Sequence, residues 1–141
     1  NKNTVLTYFD QNIFLFSEET FGQKEKYLAA LKKTKNISTE HIDSLLKKER
    51  LSAIVGLTRG PAWEIDYKGG DEAASQKQPS WGIGGYAAMA GYPHITIPLG
   101  FVKGLPVGLS FISSAWRDKE VIEMAYAFEQ KNKLLQEQRK E

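Results

Sequence analysis

The first third of the chain alternates apolar and charged residues with the spacing of amphipathic helices. Thr20 and Gln23 stand three residues apart, as in a capping box, where two side chains satisfy backbone N–H groups at a helix N-terminus. This pattern predicts a helix that runs to about residue 34 and a second helix that begins near residue 38. The second helix should place three apolar side chains inward: Ile42, Leu45 and Leu46.

Three further segments have the patterns of β-strands. Residues 51–57 form a short, almost wholly apolar run, which is typical of a strand buried on both faces in a parallel or mixed sheet. The other two strands alternate apolar with polar or small residues: Ile95, Ile97 and Leu99 in one, and Val107, Leu109 and Phe111 in the other. Residues 100–106 should join these two as a hairpin. Pro98 lacks an N–H group, so we expect it at an edge, a bulge or a strand end.

Two more helices are predicted in the second half of the chain. Residues 80–90 are rich in Gly and Ala, so this helix should pack closely against a large surface and end at Gly91. Asp118 is expected to cap a final helix. Residues 58–82 lack periodicity and are interpreted as a long loop, and residues 131–141 as a charged tail. We therefore predict an α/β fold with a mixed sheet flanked by helices, in a single domain covering residues 1–141.

The apolar cluster within residues 4–16 fits either a strand or a buried helix, because periodicity does not separate the two.

The composition is that of an ordinary globular protein, with 41% apolar and 26% charged residues. The net charge of +2 is too small to indicate a nucleic acid or an anionic membrane as partner. The absence of cysteine excludes disulfides and a cysteine nucleophile. The chain begins at Asn1 rather than Met, so we expect a processed or excised segment, and without a signal peptide pattern we favour a cytoplasmic protein.

Side chains suited to catalysis are few, and each fits a structural role. His41 lies in a charged predicted helix, and His94 lies in a predicted strand without a nucleophile-elbow sequence nearby. Asp66 and the pair at 71–72 offer oxygen ligands but lack the spacing of a calcium loop, so we predict no metal site. The glycines of residues 82–85 lack the rest of a phosphate-binding fingerprint, so we predict no cofactor.

Several blocks in the right order resemble the amidase signature family. Residues 57–63 read LTRGPAW, residues 90–100 read AGYPHITIPLG, residues 104–111 read GLPVGLSF and residues 125–130 read AYAFEQ. The resemblance covers residues 57–130 strongly and residues 20–56 more loosely, and the first block is most similar to the peptide amidase branch. It implies that the chain is the C-terminal portion of a larger hydrolase with a mixed sheet between helices.

The resemblance also implies what is missing. The family cleaves amides with a serine, a second serine that has a cis peptide bond, and a lysine that acts as the base through the second serine. Those residues belong to segments upstream of the matching region, and Ser113 and Ser114 follow a strand in a different block. We therefore assign no catalytic residue. The resemblance implies substrate-binding roles around the start of the small-residue helix and before the last helix, and the candidates are Gln78, Trp81, Gly85 and Trp116.

These expectations define one leading function and two alternatives. The parent would hydrolyse carboxamides, with peptide C-terminal amides as the favoured class, through an acyl-serine intermediate, and the chain alone would be inactive. The alternatives are an amidase-derived binding or assembly module without catalysis, and a portion of the A subunit of a tRNA-dependent amidotransferase. The expected partners are the missing N-terminal part, a small amide or peptide amide substrate, and a second copy that forms a homodimer through an exposed sheet edge.

Overall fold

A computed structural model describes residues 11–77 and 82–132. These residues form two compact units, one from residues 11–32 with 63–77 and the other from residues 33–62 with 82–132. The helices are α1 (Asn12–Glu19), α2 (Lys24–Lys48), α3 (Gly70–Gln76), α4 (Gly84–Ala90) and α5 (Asp118–Lys131). The strands are β1 (Ile54–Leu57), β2 (His94–Val102) and β3 (Leu105–Ile112). The α/β class is confirmed, and the division into a single domain, a loop and a tail stays a prediction.

The three strands form one sheet in the order β1-β3-β2, and both pairings are antiparallel. The parallel pairing of a mixed sheet is therefore not found among the described strands. The apolar run at residues 51–57 predicted a strand buried on both faces, whereas β1 lies at the sheet edge and Val55 is 49% exposed. A short apolar run does not reveal whether a neighbouring strand is present, because that depends on distant parts of the chain.

The predicted hairpin joins β2 to β3 through a two-residue turn. Lys103 and Gly104 both have positive φ, 52° and 78°, as a type I′ turn requires. Pro98 stands where the register of the β2–β3 pair shifts, on an edge strand, which confirms its predicted position. The amide side chain of Asn132 donates to the Leu99 carbonyl at 3.1 Å and so covers part of that edge.

Each face of the sheet packs against helices, as predicted. On one face, α5 covers a cluster built from both long strands and the helix: Ile97, Phe111, Val121 and Ala125. On the other, α2 and α4 cover a second cluster: Ile42, Leu46, Ala87, Ala90 and Ile112. Phe111 and Ile112 are consecutive in β3 and point to opposite faces, so each belongs to a different cluster. Complete burial of a side chain such as Ile112 contributes about 1.5–3 kcal/mol.

The predicted break between two N-terminal helices is wrong, since α2 continues through residues 34–38. Just after this segment, the Thr39 hydroxyl donates to the Asn36 carbonyl of the same helix at 3.0 Å. The capping box is also wrong, because the Thr20 hydroxyl donates to the Ser17 carbonyl at 2.8 Å. The polar side chains that cap helix N-termini also bond to carbonyls within a helix, so the sequence pattern alone does not distinguish a cap from an internal bond.

The unit that contains α1 and α3 differs from the expectations in two respects. Residues 12–19 are helical, as one alternative held, but the helix is not buried, since its apolar side chains at positions 13–16 are 59–71% exposed. The helix α3 lies inside the range interpreted as a loop. Before it, one Asp66 carboxylate oxygen accepts from the Gly69 N–H at 2.8 Å, and the other pairs with the Lys77 ammonium at 3.1 Å. These two interactions hold the pKa of Asp66 below its usual range.

The ends of α4 and α5 test two further expectations. Gly91 has φ 73°, and its N–H donates to the Ala87 carbonyl at 2.8 Å, so the predicted helix stop is confirmed. The small-residue helix begins at Gly84 rather than residue 80. The prediction that Asp118 caps the last helix is wrong, because Arg117 holds that position and the side chain makes no capping bond. Asp118 instead stands in the first turn, where its charge suits the helix dipole.

Candidate functional site

A polar cluster lies on the same face of the sheet as the core that α2 and α4 cover, because Ser110 and Ile112 are two residues apart in β3. It consists of four side chains, Thr58, His94, Thr96 and Ser110, which we call the polar cluster. Ser110 is 0% exposed and lies opposite Thr96 in the strand register. The His94 Nε2 atom is 2.7 Å from the Ser110 Oγ atom and 3.3 Å from the Thr96 Oγ1 atom. The fold therefore places the histidine and a serine within hydrogen-bond distance.

The direction of these hydrogen bonds decides what the pair can do. The Ser110 hydroxyl donates to the Thr58 Oγ1 atom at 2.8 Å, which engages its proton with the threonine rather than with the imidazole nitrogen 2.7 Å away. A catalytic serine needs the reverse arrangement, in which the imidazole accepts the hydroxyl proton. Among residues 11–77 and 82–132, no carboxylate bonds to the His94 ring. Ser110 is also fully buried, so its hydroxyl is not accessible to a substrate in the described part of the chain.

The start of α4 is locked against this cluster by close backbone contacts. The Ile83 N–H group donates to the Leu57 carbonyl at 2.9 Å. A Cβ atom at Gly82 would lie 2.6 Å from the Thr58 carbonyl oxygen, and one at Gly84 would lie 3.2 Å from the same atom. Glycine is therefore needed at position 82, whereas a side chain at position 84 would require the neighbouring backbone to shift slightly. The close packing predicted for the small-residue helix occurs at this point.

Gly108 makes a similar close contact on β3. A Cβ atom there would lie 2.7 Å from the Thr96 Cγ2 atom and 2.9 Å from the Thr58 Oγ1 atom. The sequence did not single out Gly108, which was interpreted only as a small residue in an alternating strand. The polar cluster thus fixes β1, β3 and the beginning of α4 in one arrangement.

The four predicted substrate-binding residues are not brought together in the described part of the chain. Gln78 and Trp81 lie outside the described residues. Gly85 stands in the first turn of α4, exposed, with open space beside its Cα atom. Trp116 lies in the turn before α5, is 94% exposed and has φ 64°, a strained value for a residue with a side chain.

Trp116 lines a cavity of about 580 Å³, together with residues of α2 and of the turn that follows α4. Inside it, the Tyr92 hydroxyl donates to the Asp43 carboxylate at 2.6 Å. Burial and the neighbouring Asp43 carboxylate raise the pKa of Tyr92 to about 12. Sequence reasoning missed this pair, because the two residues are 49 positions apart and no local pattern connects them.

The described residues contain no group of three or more His, Asp or Glu side chains that would hold a metal ion. Within the same residues, no helix is both long enough and apolar enough to cross a membrane.

Two curated relatives match most of the chain. A probable amidase of Arabidopsis thaliana is 34% identical over 121 residues, which are 85% of this chain and 19% of the relative. The A subunit of a glutamyl-tRNA(Gln) amidotransferase from Azotobacter vinelandii is 30% identical over 105 residues, which are 74% of this chain and 21% of that protein. The chain thus spans about a fifth of the length of the curated relatives it matches. No family model matches the chain.

Two solved structures share the fold. The structure of PAM12A has a TM-score of 0.78 and 35% identity, over 89% of this chain and 25% of that one. The native peptide amidase of Stenotrophomonas maltophilia has a TM-score of 0.63 and 35% identity, over 76% of this chain and 20% of that one. With the sequence blocks at residues 57–130, these similarities show that the chain belongs to the amidase signature family and corresponds to a C-terminal portion of its enzymes.

Proposed function

We propose that the chain is the C-terminal portion of a serine amidase that hydrolyses carboxamides through an acyl-serine intermediate, and that it does not catalyse this reaction alone. The similarity to a probable amidase and to solved peptide amidases supports the reaction class. The single observation that carries the lack of independent catalysis is the polar cluster. Its serine is fully buried and its hydroxyl donates a hydrogen bond to Thr58 rather than to the His94 imidazole, so it is not activated for attack.

The nucleophile and its base would therefore come from the rest of the amidase. This chain would contribute sheet strands, covering helices and part of the substrate pocket. For the pocket we propose the four residues Gln78, Trp81, Gly85 and Trp116. Open space beside Gly85 and the high exposure of Trp116 support this role, since both surfaces are free to contact a ligand in the chain as described.

Peptide C-terminal amides are the substrate class we propose. The support is that the peptide amidase structures are 35–38% identical to this chain, whereas the amidotransferase A subunit is 30% identical. That second similarity keeps one alternative, a portion of an amidotransferase A subunit. The inert polar cluster equally favours an amidase-derived module that binds without catalysis.

We also propose that the sheet becomes mixed in the longer protein. The Thr58 N–H group donates to the Gly108 carbonyl at 2.9 Å. In an antiparallel pair, every second residue bonds to the partner strand and the residues between them direct their backbone groups to the other side. The backbone groups of Val55, three residues before Thr58, therefore point away from β3. That outer edge of β1 has no partner strand among residues 11–77 and 82–132. A strand from the rest of the amidase would pair there, and in its absence two copies of this chain would pair edge to edge.

The test combines this chain with the part of the Stenotrophomonas maltophilia peptide amidase that remains when the matching region is removed. Ammonia release is measured on peptide amides and on simple carboxamides. We expect activity on peptide amides only when both parts are present. Activity confined to simple carboxamides would refute the substrate class, and no activity in any mixture would favour the module without catalysis.

A further inference from the structure

An apolar groove of about 540 Å³ opens between α2 and α4, entirely within one compact unit. Its walls include Ile37 and Leu45 on α2 and Tyr86 and Met89 on α4, and Ile112 of the sheet forms part of its floor. Ile112 belongs to the hydrophobic cluster on this face, so the groove exposes the edge of a core. Apolar surface in contact with water in this way is unfavourable.

The composition of the groove sets it apart from the rest of the surface. None of its described lining residues is Asp, Glu, Lys or Arg, although 26% of the chain is charged. Its volume corresponds to about 18 water molecules at roughly 30 Å³ each. Few polar atoms line it to bind that water, so an apolar occupant would fill it at lower free energy than solvent does.

The length of the relatives indicates what the occupant is. The chain spans about a fifth of the curated relatives and a quarter of the PAM12A structure, so most of each such protein lies outside the matching region and is available to cover it. Ile54 of β1 also lines the groove, which places the groove beside the free edge where we propose that the sheet continues. A segment that follows an added strand would therefore reach the groove directly.

We propose that this groove is the docking surface for an apolar helix from the part of the amidase that this chain lacks. The inference rests on the proposed function and makes it more specific, because it names the surface through which the two parts associate. Residues of two helices and of the sheet line the groove, and an apolar cleft of this kind is how an amphipathic helix is bound in other proteins. Tyr86 and Leu45 would be central contacts, since both line the groove and remain partly exposed.

The chain offers matched controls for a test. Tyr86 and Tyr126 are both tyrosines on helices, 56% and 61% exposed, but Tyr126 lies on α5 at the opposite face of the sheet. Leu45 and Ile122 form a second pair with partial exposure, again on opposite faces. We would prepare Tyr86→Lys, Tyr126→Lys, Leu45→Glu and Ile122→Glu. Each variant would first be checked for native circular dichroism and a cooperative urea transition.

The remaining part of the Stenotrophomonas maltophilia peptide amidase is used only after it too shows native circular dichroism and a cooperative urea transition. Affinity for it is then measured by isothermal titration calorimetry, and the size of each species by light scattering. We expect Tyr86→Lys and Leu45→Glu to weaken binding at least tenfold, while Tyr126→Lys and Ile122→Glu bind like the unaltered chain. Equal affinities for all four variants would overturn the groove assignment and leave the proposed function intact.

Two other outcomes also overturn the inference. If the isolated chain is a dimer that Tyr86→Lys converts to a monomer, and no complex forms with the amidase part, the occupant is a second copy. If no complex forms and the chain is monomeric, the groove is not a docking surface for the amidase. The proposed function fails separately: a complex that Tyr86→Lys weakens but that releases no ammonia would refute the function and leave the groove assignment intact.

Discussion

The most informative perturbation of the polar cluster is Gly108→Ala. The added Cβ atom would lie 2.7 Å from the Thr96 Cγ2 atom and 2.9 Å from the Thr58 Oγ1 atom, which is closer than Cβ atoms approach in proteins. Both neighbours are β-branched, and hydrogen bonds link their hydroxyl groups to Ser110. Their side chains therefore cannot rotate away without breaking the cluster, and overpacking of this kind costs about 1–3 kcal/mol.

The matched control is Gly85→Ala. No atom lies within 4 Å of a Cβ atom built there, and the residue stands in a helix, where alanine is favoured over glycine by about 0.8–1 kcal/mol. The same chemical change should thus destabilise the protein at one position and stabilise it at the other. Urea unfolding followed by circular dichroism gives both free energies of unfolding.

At a slope of about 2 kcal/mol per molar urea, a loss of about 2 kcal/mol lowers the midpoint by roughly 1 M. We therefore expect the Gly108→Ala midpoint to fall by about 0.5–1.5 M and the Gly85→Ala midpoint to rise by up to about 0.5 M. A Gly108→Ala protein with an unchanged midpoint would refute the close packing of the polar cluster. A loss of similar size for Gly85→Ala would refute the reasoning from local space.

Three further predictions concern hydrogen bonds. Ser110→Ala should cost about 0.5–1.5 kcal/mol, because it removes the hydrogen bonds that join a fully buried hydroxyl to Thr58 and His94, whereas Ser17→Ala at an exposed site should have little effect in the same urea assay. Tyr92→Phe should weaken the loss of folding stability at alkaline pH. The pKa of Tyr92 is raised from an ordinary value of 10 to about 12, so its contribution to stability is complete below pH 10 and is lost as the pH rises towards 12. Thermal unfolding at several alkaline pH values tests this, and an equal alkaline loss in both proteins contradicts it. The pKa of Asp66 is lowered, so its contribution to folding stability is present above pH 3.8 and is lost as the pH falls through the pKa of the folded state. Asp66→Asn should therefore lose less stability on acidification, as measured by thermal unfolding, and an unchanged loss would contradict the prediction.

Local pattern was sufficient to predict part of this fold. The hairpin of β2 and β3, the position of Pro98 and the helix stop at Gly91 were predicted because strand alternation and proline or glycine conformation are properties of neighbouring residues. The apolar face of α5 followed from helical spacing in the same way, and Val121 and Ala125 are buried.

The features that were missed depend on residues far apart in the sequence. Ser110 bonds to Thr58 across 52 positions, and Tyr92 bonds to Asp43 across 49, so neither pair leaves a local signal. The structural role of His94 stays a prediction, and its partner Ser110 could not be named from the sequence. Whether β1 lies at an edge likewise depends on strands elsewhere in the protein, which is why an apolar run alone predicted burial on both faces.

The central claim is that this chain is a portion of an amidase that lacks catalysis of its own. The most direct measurement is ammonia release by the purified chain alone, on a panel of peptide amides and simple carboxamides. The account predicts no release above buffer, and the same result for Ser110→Ala. Release above buffer that Ser110→Ala abolishes, while the variant remains folded, would contradict the account by showing that the buried serine is a nucleophile.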